Sequence, residues 1–249
     1  MGVDYLGECN PIATCWISKK SLFLDDLSSE FACPILAPKV LCGSDNTGIQ
    51  DYATTYIRLC IMSHGRSVHH FEHVDLRHVR SCFFDERSHR AYLQIPFVGD
   101  RGEKTLCAIG QNPSSADEHA ADKTVRYLEE LVYRSLPQYR QLIVLNLYSR
   151  VDTSKEDRTS PLHPECSNIF DRFVAEETDF LVVFGQLRNK EPYRFQDRAR
   201  EIAPLLRSKH VFKLDIGAFY APHPGNPKII YSNFTVGFTP YTFADVSYV

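Results

Sequence analysis

Apolar residues are unevenly patterned along this chain, and the break falls near residue 80. Before it, Pro11, Pro34, Pro38, Gly43, Gly48 and the polar stretch 44–47 cut the sequence into short pieces with no sustained period. That composition predicts an N-terminal extension over 1–80, with a helix near 51–62, packed on a main domain over 81–249. From Cys82 onward the pattern sharpens. Residues 90–95 read as a strand, Gly99-Asp100-Arg101-Gly102 as a hairpin turn, and 104–109 as the returning strand. Val125, Leu128, Leu131, Val132 and Leu136 recur at helical spacing over 122–136. Residues 141–145 form a short strand. A helix over 165–177, with Ile169, Phe173 and Val174 on one face, precedes a strand at 179–184. A helix over 192–207 opens at Pro192, a favoured first-turn residue, and a strand follows at 210–215. Strand–helix alternation predicts an α/β fold with a central, mainly parallel, helix-flanked sheet. The tail 231–249, rich in Phe, Tyr, Thr and Val, reads as an edge strand or strap.

Length and charge narrow the picture. A chain of 249 residues buries a large core, and a formal net charge of -3 provides no global attraction to nucleic acid or membrane. Any contact with DNA must then come from a local patch. Residues 188–209 supply one: Arg188, Lys190, Arg194, Arg198, Arg200, Arg207 and Lys209 stand against Glu191, Asp197 and Glu201. A solvated helix surface accounts for the same residues. No apolar run reaches membrane-spanning length and no signal-peptide pattern opens the chain, so a cytoplasmic protein is expected.

Eight cysteines include no C-x-x-C pair. Buried reduced thiols are the default reading, and Cys9, Cys15, Cys33 and Cys42 are the one loose quartet that fits a zinc or iron–sulfur site. His69 and His73, four apart, fit either a metal pair or a solvated mixed-charge helix. No metal and no cofactor is therefore expected.

Four motifs carry the candidate chemistry, each directly after a short apolar run. In Gly110-Gln111-Asn112-Pro113-Ser114, glycine permits a sharp turn and proline fixes the next step, so Asn112 either holds a ligand or water at the sheet edge or merely starts a turn. Asn146 ends an apolar strand; its amide offers a donor and an acceptor to a heterocycle's edge, or caps the following loop. Val182-Val183-Phe184-Gly185 ends another strand. His223 sits between Pro222 and Pro224 in a stiff loop, a setting suited to donating a hydrogen bond to a developing oxyanion. In open α/β sheets such strand ends converge on one crevice.

This order of motifs resembles the uracil-DNA glycosylase superfamily over about residues 104–230. The resemblance implies a three-layer sandwich in which Gln111, Asn112 and Ser114 lie on the first motif, Asn112 positions water, Asn146 reads the base, and His223 stabilises the departing base's oxygen. Asn cannot serve as a general base, so Asp117 or Asp122 is the candidate carboxylate, with helix capping the competing role for Asp122. Tyr148 and Phe184 are candidates to stack on the base, unless they are core. Arg188, Arg194, Arg198 and Lys228 are candidate DNA contacts. The segment 225–230 occupies the place of an intercalating loop, with Ile229 or Ile230 as wedge. A nearer likeness is to an uncharacterised bacterial and phage family, a domain of unknown function, whose Asn-Pro-Ser-x-Ala-Asp, Asp-x-Thr and His-Pro pattern is similar to Asn112–Asp117, Asp122 with Thr124, and His223-Pro224. The expected ligand is a uracil-like or modified base in DNA, cleaved at its N-glycosidic bond. The alternatives are a nucleotide or free base bound without DNA, and a non-catalytic interaction protein whose N-terminal 80 residues bind a protein partner.

Overall fold

The structure is a computed structural model, and it describes residues 68–152 and 160–243. The expected helix near 51–62, the cysteine quartet and the last residues of the tail lie outside the described residues. The chain runs through β1 (Arg80–Phe84), β2 (His89–Pro96), β3 (Lys104–Gly110), α1 (Lys123–Ser135), β4 (Tyr139–Asn146), α2 (Pro164–Glu176) and β5 (Asp179–Val182). A small hairpin of β6 (Asn189–Lys190) and β7 (Tyr193–Arg194) follows. Then come α3 (Phe195–Ile202), β8 (His210–Asp215), α4 (Pro227–Tyr231) and β9 (Gly237–Pro240).

Seven strands form one mixed sheet in the order β1-β2-β4-β3-β5-β8-β9. Its centre, β4-β3-β5-β8, is parallel, and β1, β2 and β9 join antiparallel at the edges. Period-two alternation divides the central strands between two cores. Leu106 and Ala108 of β3 and Leu142 and Val144 of β4 pack with Val125, Leu128, Leu131 and Val132 of α1. Their neighbours Cys107, Ile109, Ile143 and Leu145 face Phe170, Phe173 and Val174 of α2 and Ala199 and Ile202 of α3. Helices thus cover both faces, as strand–helix alternation predicts.

α1 is bounded by chemistry at both ends. Asp122 caps its start, accepting from the Val125 N–H at 2.7 Å. Arg101 closes its C-terminal end, donating to the carbonyls of Val132, Tyr133 and Leu136 and also to that of Tyr139. A cation among the last carbonyls also complements the helix dipole. Residues 68–79 are tied to this helix. Val68 bridges Ala121, and His70, donating from both ring nitrogens, meets Glu129 at 2.5 Å and the Asp117 carbonyl at 2.7 Å.

Several sequence expectations are corrected. Residues 90–96 and 104–109 are strands but not a hairpin: β2 pairs with β4, and β4 separates it from β3. The connection instead crosses the start of β4, and glycine is required there, since a Cβ on Gly102 would sit 2.3 Å from the Gln138 carbonyl oxygen. The helix expected over 192–207 is shorter, Phe195–Ile202, because Pro192 lies in the β6–β7 turn. His69 and His73 are not on a helix. His73 is buried between the Phe71 and Tyr133 rings, with centroids 5.1 and 4.1 Å away. Ile229 and Ile230 are buried in the core beneath α4, so neither is an exposed wedge. β9 takes the edge-strand place expected of the tail.

Candidate functional site

The chain passes from β3 to β4 on one side and then returns to place β5 on the other side of β3. Such a reversal opens a crevice at the carboxyl ends of the strands. Main-chain bonds hold the three strand ends together: Leu147 N donates to Gly110 O, Tyr148 N to Gln111 O, and Val183 N to Ile109 O. Gly110 stands opposite Asn146 in register. A Cβ there would come 2.9 Å from Asn146 Oδ1, so glycine leaves that amide its space. After β5, Gly185 turns the chain at φ +71° and bridges Ala221, bringing the His223 loop to the same crevice.

The crevice is a cavity of about 450 Å³, within the range of small-molecule sites. Asn112, Asn146 and His223, far apart in sequence, all line it, as do Gln111, Ser114, Asp122 and Phe184. Each is held differently. Gln111 donates its amide to the Phe184 carbonyl at 2.6 Å. Asn112 donates Nδ2 to the Asp152 carbonyl, which fixes the amide with Oδ1 as its acceptor end. Ser114 Oγ accepts from the Ala116 N–H at 3.2 Å. Among the described residues, buried Asn146 Nδ2 has no hydrogen-bond partner.

His223 has a defined tautomer. The Gly225 N–H donates to Nδ1 at 3.0 Å, and a ring nitrogen that accepts carries no proton. The neutral imidazole therefore holds its proton on Nε2, which lies 3.3 Å from Thr124 Oγ1. Gly225 permits this contact, since a Cβ there would meet Nδ1 at 3.0 Å and the Tyr127 ring at 3.2 Å. Asp122 lines the cavity and caps α1 at once. Asp117 instead binds Arg87 at 2.6 Å and caps the turn at His119 and Ala120.

Other candidates sit elsewhere. Tyr148 is outside the cavity lining, packed edge-on against Tyr193 and Phe195 at 5.5 and 5.3 Å, with its hydroxyl accepting from Arg194 N. It belongs to the core on the α2 side. Arg194 is paired with Glu191 and Asp197, and Arg198 with Glu201, the Leu147 carbonyl and Ser167. Arg188 and Lys228, the other two proposed DNA contacts, are exposed.

Two cavity residues were given no role from sequence. Thr124 lies against His223. Arg90, at the start of β2, is only 2% exposed; its Nη1 donates to the carbonyls of Ala116 at 2.9 Å and Ser114 at 3.4 Å, while Nε is buried without a partner. Burial pulls its pKa down to about 10, against the pull of Asp122 and Asp117, so the guanidinium stays charged at neutral pH. A charged residue opening an otherwise apolar strand is the signal that could have found it. Among the described residues no group of three or more His, Cys, Asp or Glu is placed to hold a metal ion, and no helix is long and apolar enough to cross a membrane.

Fold and site together define an α/β protein with a cavity, lined by several polar side chains, at the carboxyl edge of its parallel strands. Residues 92–225, more than half of the chain, match the family described as "Protein of unknown function (DUF1643)", and the chain belongs to that family. No curated protein and no solved structure matches it.

Proposed function

We propose that the cavity recognises a uracil-like or modified nucleobase and that the protein is a DNA glycosylase-like hydrolase of the N-glycosidic bond. One observation carries this reading: a buried amide without a partner, Asn146, and a tautomer-fixed imidazole donor, His223, line the same cavity. A planar base with alternating carbonyls and N–H groups offers acceptors to both. In the reaction, the glycosidic carbon–nitrogen bond breaks and its electron pair leaves on the base as an anion. His223 Nε2–H donates to the base oxygen that takes up this charge. Asn112, anchored through Nδ2, offers Oδ1 to hold a water, whose oxygen bonds to the sugar carbon while its proton passes to solvent, from which the base anion is protonated. A base in duplex would have to be flipped out to enter.

Base release from uracil- and hydroxymethylpyrimidine-containing oligonucleotides tests the reading. His223→Ala removes one preorganised donor and is expected to slow release about 10²–10³-fold. Absence of release from every such substrate overturns the hydrolase.

A second reading is a pocket for a free base or small nucleotide without DNA. It is favoured by the exposed-face charges: Arg194 and Arg198 are taken up by neighbouring acids and carbonyls instead of forming a phosphate-facing stripe.

A further inference from the structure

Arg90 and Arg101 are both guanidiniums drawn into the protein, and they end differently. Arg101 donates to four carbonyls from all three of its nitrogens. Arg90 is more deeply buried, yet among the described residues only Nη1 is used, and Nε has no partner. A buried cation loses its hydration and needs an anion or a full set of acceptors in return. The two carboxylates that act on its charge do not provide it. Asp117 pairs with Arg87, Asp122 caps α1, and neither makes an ion pair with Arg90 among the described residues. The loop 112–117, which carries the first motif, is meanwhile drawn onto Arg90 through the Ser114 and Ala116 carbonyls. A loop-holding arginine would be placed this way too, but it would not need to border the cavity, and Arg90 does.

We propose that Arg90 is an anion-binding residue of the cavity and that it holds the phosphate of a nucleotide whose base faces Asn146 and His223. This rests on the nucleobase reading above and narrows it to a phosphate-bearing ligand. A guanidinium suits the task because its planar donors match phosphate oxygens in pairs and its charge persists. The phosphate has two sources, a free nucleoside monophosphate or the backbone of a strand, and the probes must separate them.

The test titrates the full chain with deoxyuridine, deoxyuridine monophosphate, inorganic phosphate and a short single-stranded oligonucleotide containing deoxyuridine, read by calorimetry. The monophosphate is expected to bind roughly tenfold or more tightly than the nucleoside, as for a charge-assisted hydrogen bond. In Arg90→Gln that ratio should fall to near one with nucleoside affinity kept, and Arg90→Lys should restore part of it. A purely structural arginine would weaken both ligands alike. Equal affinity of wild-type protein for nucleoside and monophosphate overturns the anion site and leaves the base reading standing. Binding of inorganic phosphate as tight as that of the monophosphate supports the anion site and overturns the base reading. An oligonucleotide preferred over the monophosphate, with the same dependence on Arg90, assigns the phosphate to a strand. Binding of none of the four overturns both. If Arg90→Gln does not fold, the wild-type ratio decides.

Discussion

The parallel strands of this sheet begin and end in opposite chemical states. At their amino ends one buried carboxylate, Asp179, gathers the starts of neighbouring strands. It accepts from Lys104 at the head of β3 (3.2 Å), Tyr139 at the head of β4 (3.0 Å) and His210 at the head of β8 (2.9 Å). Both oxygens are used, and the group is 2% exposed. At the carboxyl ends the polar residues range from buried Arg90 to exposed His223 and are incompletely matched: among the described residues the buried atoms Asn146 Nδ2 and Arg90 Nε have no partner. An unpaired buried donor costs about 1–3 kcal/mol. The Asp179 cluster is matched contact for contact, while Asn146 and Arg90 at the other end carry that cost. The contrast separates a structural polar cluster from a candidate ligand site on physical grounds.

The sharpest way to break the comparison is to remove its satisfied half. Asp179→Ala frees two exposed bases and strands the buried Tyr139 hydroxyl, so unfolding free energy should drop by about 1–3 kcal/mol, measured by denaturant titration, with ligand affinity unchanged. The pH dependence follows from the same contacts. Burial raises the Asp179 pKa, but hydrogen bonds from His210, Lys104 and Tyr139 outweigh it and hold the group below its ordinary 3.8. A depressed folded pKa means stabilisation that is complete above the ordinary value and lost as pH falls through the depressed one. Wild type should therefore lose more stability than Asp179→Asn below about pH 4. Parallel acid limbs for the two proteins would deny Asp179 this role.

The unsatisfied half predicts the reverse pattern. Asn146→Ala removes an amide that has no partner and borders open space, so its stability should stay within about 1 kcal/mol of wild type or rise. Binding of a uracil nucleotide should fall at least tenfold. A destabilisation as large as that of Asp179→Ala would mean that Asn146 is a structural residue and the contrast false.

How much of this was legible follows from which interactions are local. The strands after 104 and the helices at 123 and 164 announce themselves through apolar period, and the first helix also through Asp122 at its start. The meeting of Asn112, Asn146 and His223 was legible as well, because each directly follows an apolar run and strand ends of a parallel sheet share an edge. Pairing was not. β2 prefers β4 over β3, and nothing short-range in the 97–103 connection says so; the tight fit of Gly102 on Gln138 is a contact with another strand. Facing was also hidden: Tyr148, two residues past Asn146, continues onto the α2 side. Arg90 went unseen because a single charge at a strand start reads as a solvent edge, and only the fold shows it covered by the 112–117 loop.

Charge counting alone decides least at residues 188–209, and the smallest predicted effect lies there. The excess of basic residues suggested a face for DNA, yet Arg194 reaches Asp197 at 2.6 Å and Glu191 at 3.0 Å, all on the surface. Exposed pairs of this kind are screened and add little to stability. Arg194→Ala should leave the melting temperature unchanged within error. If the face is not a nucleic-acid contact, the variant should also bind a uracil-containing oligonucleotide as wild type does at both 50 and 200 mM salt. A phosphate contact would show differently, because losing one cation lowers the slope of log affinity against log salt by about one unit. Measuring that slope before and after the substitution therefore decides whether positive charge outside the cavity takes any part, or whether recognition is confined to the strand ends.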